Sequence, residues 1–262
     1  MQENDLLQQL PKELLRTLHG CRFTKDTLGC SSAVVLHVPE KRSYLKIAPY
    51  NPVEPLAVEA AVLEWLQDRL PVPKVHYYEE WQGREYLLIS ELEGTVCSDA
   101  VHRLDPEALA RNLAEGLKMI HSVDIAHCPF NQTLEVKLEK ARRHMELGLV
   151  NEDEFEDEYM GKTAGDLYAM LPAKRPSRED LVFTHGDYCL PNVILKDGKV
   201  RGFIDWGRAG VADRYQDIAL GVRSLRHNHY PEDLVTVFLE AYGITDPDWG
   251  KIEYFILLDE FF

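Results

Sequence analysis

The sequence predicts an α+β chain of two lobes, a small β-rich lobe over residues 1–94 and a larger, mainly helical lobe over residues 95–262. Three observations predict it. The hydrophobic pattern changes once, near residue 95, from short β-rich runs to apolar residues at three- and four-residue spacing. A hairpin signal, Asp197-Gly198 between two apolar runs, interrupts the helical half. The 262 residues, 45% of them hydrophobic, supply a core for one large domain or two modest lobes, and no internal repeat argues for another organisation.

In the first lobe, residues 33–38, 44–47 and 86–89 read as strands punctuated by Gly and Pro. One helix interrupts them, with Val58, Ala61, Val62, Trp65 and Leu66 sharing a face. The helical lobe opens with Asp105 as an N-cap and Pro106 at the first helical position, followed by a core stripe of Leu109, Leu113, Leu117 and Ile120. An apolar strand, Leu181–Thr184, breaks the helical pattern. The hairpin strands follow at 193–195 and 200–204.

Charge and composition narrow the class of function. With 44 acidic against 29 basic side chains the formal net charge is −15, which repels nucleic acid and anionic membrane surfaces and attracts polycations. Cys21, Cys30, Cys97, Cys128 and Cys189 are odd in number and scattered, without the close pair that a zinc or redox site needs, and read as reduced thiols of a cytosolic protein. The opening residues lack a basic segment followed by an apolar one, and no apolar stretch approaches the roughly 20 residues that span a bilayer. Neither secretion nor membrane insertion is expected.

The densest cluster of chemically capable residues is Thr184-His185-Gly186-Asp187-Tyr188-Cys189-Leu190-Pro191-Asn192, a loop linking a strand to a hairpin. The hairpin returns the chain to Ile204-Asp205-Trp206-Gly207-Arg208, so Asp205 is expected beside Asn192. A carboxylate and an amide oxygen suit magnesium, a hard cation that completes its shell with phosphate and water. That leaves Asp187 to hold a hydroxyl. Phosphoryl transfer needs this division between metal ligands and a carboxylate that orients the nucleophile. Each of the three is, taken singly, equally at home as a turn residue bonded to its own backbone.

The order and spacing of the three together resemble the aminoglycoside phosphotransferases, whose fold is similar to that of protein kinases, and within them the 3′-phosphotransferase branch. The resemblance extends through Leu70-Pro71-Val72-Pro73-Lys74-Val75, the run 210–217 and the final Leu258-Asp259-Glu260-Phe261-Phe262. It implies a protein-kinase-like fold, Asp187 as the catalytic residue, and Asn192 and Asp205 as ligands of magnesium. In the nucleotide half it implies that Lys46 reaches the phosphates of ATP with Glu59 as its ion-pair partner, and that Tyr44 stacks on adenine. Ser31 is placed where a loop covers the phosphates, and Ser90 where backbone groups hold the adenine edge.

The substrate expectation rests on carboxylates, because an aminoglycoside presents several ammonium groups around its hydroxyls. Two acidic clusters answer it: Glu152 to Glu158, six acids in seven positions, and Asp259 with Glu260 and the carboxylate of Phe262. By residue match the resemblance assigns Asp153, Glu154, Glu156, Arg208, Asp259, Glu260 and Phe262 to aminoglycoside binding. Leu190 departs from the pattern, since some 3′-phosphotransferases carry an acidic residue there. The expected reaction moves the γ-phosphate of ATP to the 3′-hydroxyl of kanamycin- or neomycin-like compounds. A kinase for another cationic or hydroxylated metabolite, such as choline or an amino sugar, is the alternative, and its site would favour an aromatic cage. A protein kinase is disfavoured, because H-R-D, D-F-G and A-P-E segments are missing. A silent nucleotide-binding scaffold would be expected to lose a catalytic or metal residue, and all three are kept.

Overall fold

The computed structural model describes residues 10–26 and 33–262, in two compact units, one ending at Glu93 and the other running from Gly94 to Phe262. Ser31, expected to cover phosphates, lies outside the described residues.

In the first unit a helix α1 (Lys12–Thr17) precedes strands β1 (Thr24–Lys25), β2 (Val34–Val38) and β3 (Ser43–Pro49), a helix α2 (Leu56–Leu66), and strands β4 (Val75–Trp81) and β5 (Arg84–Ser90). All neighbours are antiparallel in the order β1-β2-β3-β5-β4. Leu14 of α1 and Leu18, which follows the helix, pack against Leu36, Val38, Leu45, Ile47, Tyr86 and Leu88 on one face of this sheet. Successive strand residues face opposite ways, so burying Leu45 and Ile47 sends Lys46 to the other face.

On α2 the buried face consists of Glu59, Ala60, Val62, Leu63 and Leu66, whereas Ala61 is exposed and Val58 and Trp65 are half-buried. This corrects the expected stripe. Counting apolar residues placed the face too far round the helix, because the true face carries a carboxylate that its partner makes tolerable. Trp65 instead lies under the Arg69 guanidinium, 4.2 Å from the ring centre.

The second unit holds strand β6 (Thr95–Val96), helices α3 (Pro106–His121), α4 (Leu134–Glu146) and α5 (Ala164–Lys174), strands β7 (Leu181–Thr184), β8 (Val193–Lys196), β9 (Lys199–Phe203) and β10 (Gly210–Asp213), and helices α6 (Tyr215–His227), α7 (Glu232–Tyr242) and α8 (Trp249–Asp259). The expected N-cap is in place: the Asp105 carboxylate accepts the Ala108 N–H at 3.0 Å. Leu109, Leu113, Leu117 and Ile120 are all buried, each burial stabilising the unit by about 1.5–3 kcal/mol. At the β8–β9 turn Asp197 and Gly198 have φ of 52° and 72°, the two left-handed residues of a type I′ hairpin. β10 was not anticipated. It pairs antiparallel with β7 and supplies that strand's missing partner.

Among the described residues no helix is long and apolar enough to cross a membrane, and Cys21, Cys97, Cys128 and Cys189 are free thiols.

Candidate active site

β7 is apolar at Val182 and Phe183 and buried, so its end is a fixed point from which the loop 185–192 departs. The Thr184 hydroxyl donates to the Gly210 carbonyl at 2.9 Å. The next two backbone N–H groups, of His185 and Gly186, both donate to the Asp217 carboxylate, at 2.7 and 2.8 Å. Asp217 stands in the first turn of α6 and is fully buried. Burial pushes its carboxyl up, but the His121 ring at 3.1 Å and the His185 N–H outweigh that and hold it below the ordinary value.

Gly186 is required by this geometry. Its φ is +85°, and a Cβ there would stand 2.0 Å from the Arg208 carbonyl oxygen. His185 then turns inward, its Nε2 donating to the Ile204 carbonyl at 2.9 Å and its Nδ1 accepting the Asp187 N–H at 3.3 Å. Those two bonds assign the Nε2–H tautomer. Tyr188 is buried with its hydroxyl donating to the Leu113 carbonyl at 2.6 Å, and the Leu190 N–H donates to the Ser224 hydroxyl at 2.9 Å. Leu190 is itself fully buried, so its departure from the acidic pattern places an apolar side chain in the core.

With the loop held from behind, the Asp187 side chain meets Asn192. The Asn192 amide nitrogen donates to the Asp187 carbonyl at 2.9 Å and to its carboxylate at 3.0 Å. The Asn192 carbonyl accepts the Ile204 N–H at 3.0 Å, which brings Asp205 next to it. With its nitrogen committed to Asp187, Asn192 has its amide oxygen left for a ligand, and Asp205 adds carboxylate oxygens. This donor set fits a hard cation. Among the described residues, no group of three or more His, Cys, Asp or Glu is arranged to hold a metal. Asp187 binds its proton more tightly than an ordinary Asp: burial pushes it up, Arg208 pulls it down, and Asp259 and Asp205 push it up again. A carboxylate in that condition is suited to accept a proton from a hydroxyl.

The acidic residues near the C-terminal end of α8 are wired through two arginines. Arg208 donates to the main-chain oxygen of Phe262 at 2.7 Å, lies 5.4 Å from its ring centre, and stands 3.8 Å from Asp259. Arg223 bonds Asp259 at 2.5 Å and reaches Glu156 at 3.8 Å. Burial raises the Asp259 carboxyl, but Arg223, Arg208 and Lys137 overcome it and leave it below the ordinary value. Glu260 goes the other way. Burial pushes it up to about 7, with the neighbouring Glu156 and Asp259 adding to the effect, and its Oε1 is buried without a hydrogen-bond partner. Its Oε2 accepts the Glu156 N–H at 3.2 Å, and the Glu156 carboxylate meets the His227 ring at 2.8 Å. Glu156 is thus joined to Asp259 and Glu260, whereas Asp153 and Glu154 lie exposed on a separate 3-10 turn, Glu152–Glu154.

In the first unit the Lys46 ammonium bonds both oxygens of Glu59, at 2.7 and 2.9 Å, with Glu59 almost fully buried. Glu85 explains how α2 is aimed. Pro55 gives α2 no side-chain cap, and the buried Glu85 carboxylate substitutes for one, accepting the Leu56 and Ala57 N–H groups, each at 3.1 Å, and the Tyr78 hydroxyl at 2.8 Å. Tyr44 is half-buried with one face stacked on His37 at 4.7 Å. The Ser90 N–H and hydroxyl oxygen both bond the Lys74 backbone, so its side chain clips β5 to the start of β4.

Asp217, Arg223 and Glu85 escaped the sequence reading as site residues. For Asp217 a signal existed, a lone carboxylate entering the apolar run Ile218-Ala219-Leu220-Gly221-Val222. Arg223 and Glu85 carry no such mark.

Comparison with known proteins follows the same outline. A family model described as a phosphotransferase enzyme family matches residues 23–255. An aminoglycoside 3′-phosphotransferase of Niallia circulans is 43% identical over 262 residues, 99% of this chain and 100% of the relative. Among solved structures, an aminoglycoside 3′-phosphotransferase of type VIII superimposes with a TM-score of 0.85 at 30% identity, covering 95% of this chain and 98% of its own. An aminoglycoside phosphotransferase of Streptomyces rimosus, in complex with ADP and streptomycin, gives 0.82 at 26% identity, covering 100% and 99%.

Proposed function

The chain belongs to the phosphotransferase enzyme family, and we propose that it moves the γ-phosphate of ATP to the 3′-hydroxyl of kanamycin- or neomycin-type aminoglycosides, which confers resistance on a cell that makes it. The observation that carries the reading is the setting of Asp187. Its carboxylate is bonded to Asn192, within electrostatic reach of Asp205 and Asp259, and attached to a loop anchored by Asp217.

In this reading Asp187 orients the acceptor hydroxyl and takes its proton as the phosphate arrives. For a loose transition state the orienting part dominates. Asn192 and Asp205 would hold magnesium, which when bound neutralises phosphate charge. Lys46, steadied by Glu59, reaches phosphate oxygens, while Tyr44 and the backbone near Ser90 serve the adenine. Ser31 remains the assignment for the phosphate-covering loop.

The ammonium groups of the substrate are answered by Asp153, Glu154, Glu156, Asp259 and Glu260, with Arg208 holding Phe262 in place. Glu260 suits this role because its Oε1 has no partner within the protein. Opposite charge also speeds encounter, since the chain carries −15 and the substrate is a polycation. Such a substrate is met in the cytosol. A choline-like reading is disfavoured by Phe155, the aromatic within the run from Glu152 to Glu158, because it is buried and offers no exposed face to a cation.

Magnesium-dependent ADP release tests the proposal, measured with kanamycin and with tobramycin, which lacks the 3′-hydroxyl. Turnover with kanamycin alone is expected. Turnover with both moves the phosphate to another hydroxyl, and turnover with neither overturns the substrate assignment.

A further inference from the structure

The buried residues of α4 are Leu134, Lys137, Ala141 and His144, the three- and four-residue spacing of one inward face. Two of those positions carry basic side chains, and both are out of water: Lys137 is 2% exposed and His144 4%. An ammonium and an imidazole on a core face are costly unless the protein supplies partners for them, so what they meet shows what they serve.

They meet the end of the chain. The His144 ring lies 5.2 Å from the Phe262 ring, centre to centre, and its Nδ1 stands 2.6 Å from the Phe261 carbonyl oxygen. A carbonyl oxygen only accepts, so Nδ1 carries the proton of that bond. The Lys137 ammonium stands 5.1 Å from the centre of the same Phe262 ring, within cation–π range. Its charge also acts on the Asp259 carboxylate, together with those of Arg223 and Arg208. Because α8 ends at Asp259, Glu260 and the residues after it are placed by contacts of this kind and not by a continuing helix.

We infer that Lys137 and His144 are positioning residues for substrate binding. From behind, they hold residues 259–262 where Asp259 and Glu260 meet the ammonium groups of the substrate, while Arg208 holds Phe262 through its main-chain oxygen. The inference rests on the reading of those two carboxylates as substrate ligands. Neither basic residue touches the substrate in this account; both act through Phe261 and Phe262.

Steady-state kinetics of the full chain with kanamycin and ATP tests it. Lys137→Met keeps the length of the side chain and removes its charge, and His144→Ala removes the donor. Each should raise the KM for kanamycin about fivefold, the size of one hydrogen bond or cation–π contact, and leave the KM for ATP unchanged. KM is read on the molecules that fold, so a lower yield of either variant does not blur it. His144→Asn, which returns an N–H donor near the place of Nδ1, should restore most of the loss. On a Phe262→Ala background, Lys137→Met should add less than about twofold, because the ring through which it acts is gone. An unchanged KM for kanamycin in both single variants overturns the inference. So does an equal rise in both KM values, which marks a structural role, or an effect of Lys137→Met as large without the ring as with it. Asp259→Asn separates this from the reading beneath. If kanamycin is not turned over, or if Asp259→Asn leaves its KM unchanged, the carboxylates are not its ligands and the inference falls with them. If Asp259→Asn raises that KM while Lys137→Met and His144→Ala do not, the inference alone falls.

Discussion

The carboxylate of Asp217 accepts the backbone N–H of Gly186 at 2.8 Å, so a buried charge on α6 sets the direction in which the loop carries Asp187. Replacing Asp217 by Asn keeps one acceptor oxygen but turns an NH2 toward the second N–H, which is left buried and unmet. Turnover of the Asp217→Asn variant should fall about 100-fold, the penalty of a misplaced catalytic group, with the KM for ATP nearly unchanged. Steady-state kinetics on both substrates would check it, and unchanged turnover would remove Asp217 from its positioning role.

Asp187→Ala removes the carboxylate proposed to orient and deprotonate the acceptor. Phosphoryl transfer should drop about 10²- to 10⁴-fold or more while ATP still binds, as read by equilibrium nucleotide titration beside the rate. Near-normal turnover would end the assignment.

Lys46→Ala should raise the KM for ATP about tenfold or more, the size of one charge-assisted hydrogen bond, and leave the KM for kanamycin alone. The comparison of the two constants is the measurement. An equal effect on both would mean that the Lys46–Glu59 pair serves stability only.

Gly186→Ala tests the left-handed turn. With φ of +85° and an obstructing carbonyl 2.0 Å from the new Cβ, the substitution should cost at least about 2 kcal/mol and lower Tm together with kcat. Thermal unfolding and rate on one preparation would read both.

Glu260 makes stability depend on pH. The folded chain holds this proton up to about pH 7, against 4.5 for an ordinary Glu, so between those values the folded state binds more protons than the unfolded one. Stability contributed by the protonated group is full below pH 4.5 and is lost as pH rises toward 7. Glu260→Gln should therefore flatten this part of the stability profile and be more stable than the parent at pH 8, by up to about 3 kcal/mol. Denaturant unfolding at pH 5 and pH 8 measures it; equal losses at both would show an ordinary side chain.

Much of this was legible because its signals are local. The Asp105-Pro106 start, the stripe from Leu109 to Ile120 and the Asp197-Gly198 turn each follow from neighbouring residues, and the structure places them as expected. What stayed hidden depends on distant partners. β4 lies at a sheet edge with no clean alternation in Val-His-Tyr-Tyr-Glu-Glu-Trp, and its pairing with β5 closes through a left-handed Gln82-Gly83 turn, not an Asn-Gly signal. The α2 face was misjudged because Glu59 is buried by Lys46, thirteen residues away. Glu85 caps a helix that begins 29 residues before it. At the site Asp187, Asn192 and Asp205 stood out by their order and spacing, while Asp217 and Arg223, which hold the loop and the acidic cluster, did not.

Tyr188 has a further consequence, for how this sequence drifts. A Cβ at Gly116 would meet its hydroxyl at 2.7 Å, and one at Gly221 would meet Phe238 at 2.9 Å and the Tyr188 ring at 3.6 Å. Two helices have thus given up side chains around one aromatic ring. Any larger residue at either glycine is blocked until Tyr188 or Phe238 shrinks, and a smaller residue at 188 opens a void that both glycines are too small to fill. These positions form an epistatic lock: single substitutions are penalised, and change has to come to several of them at once.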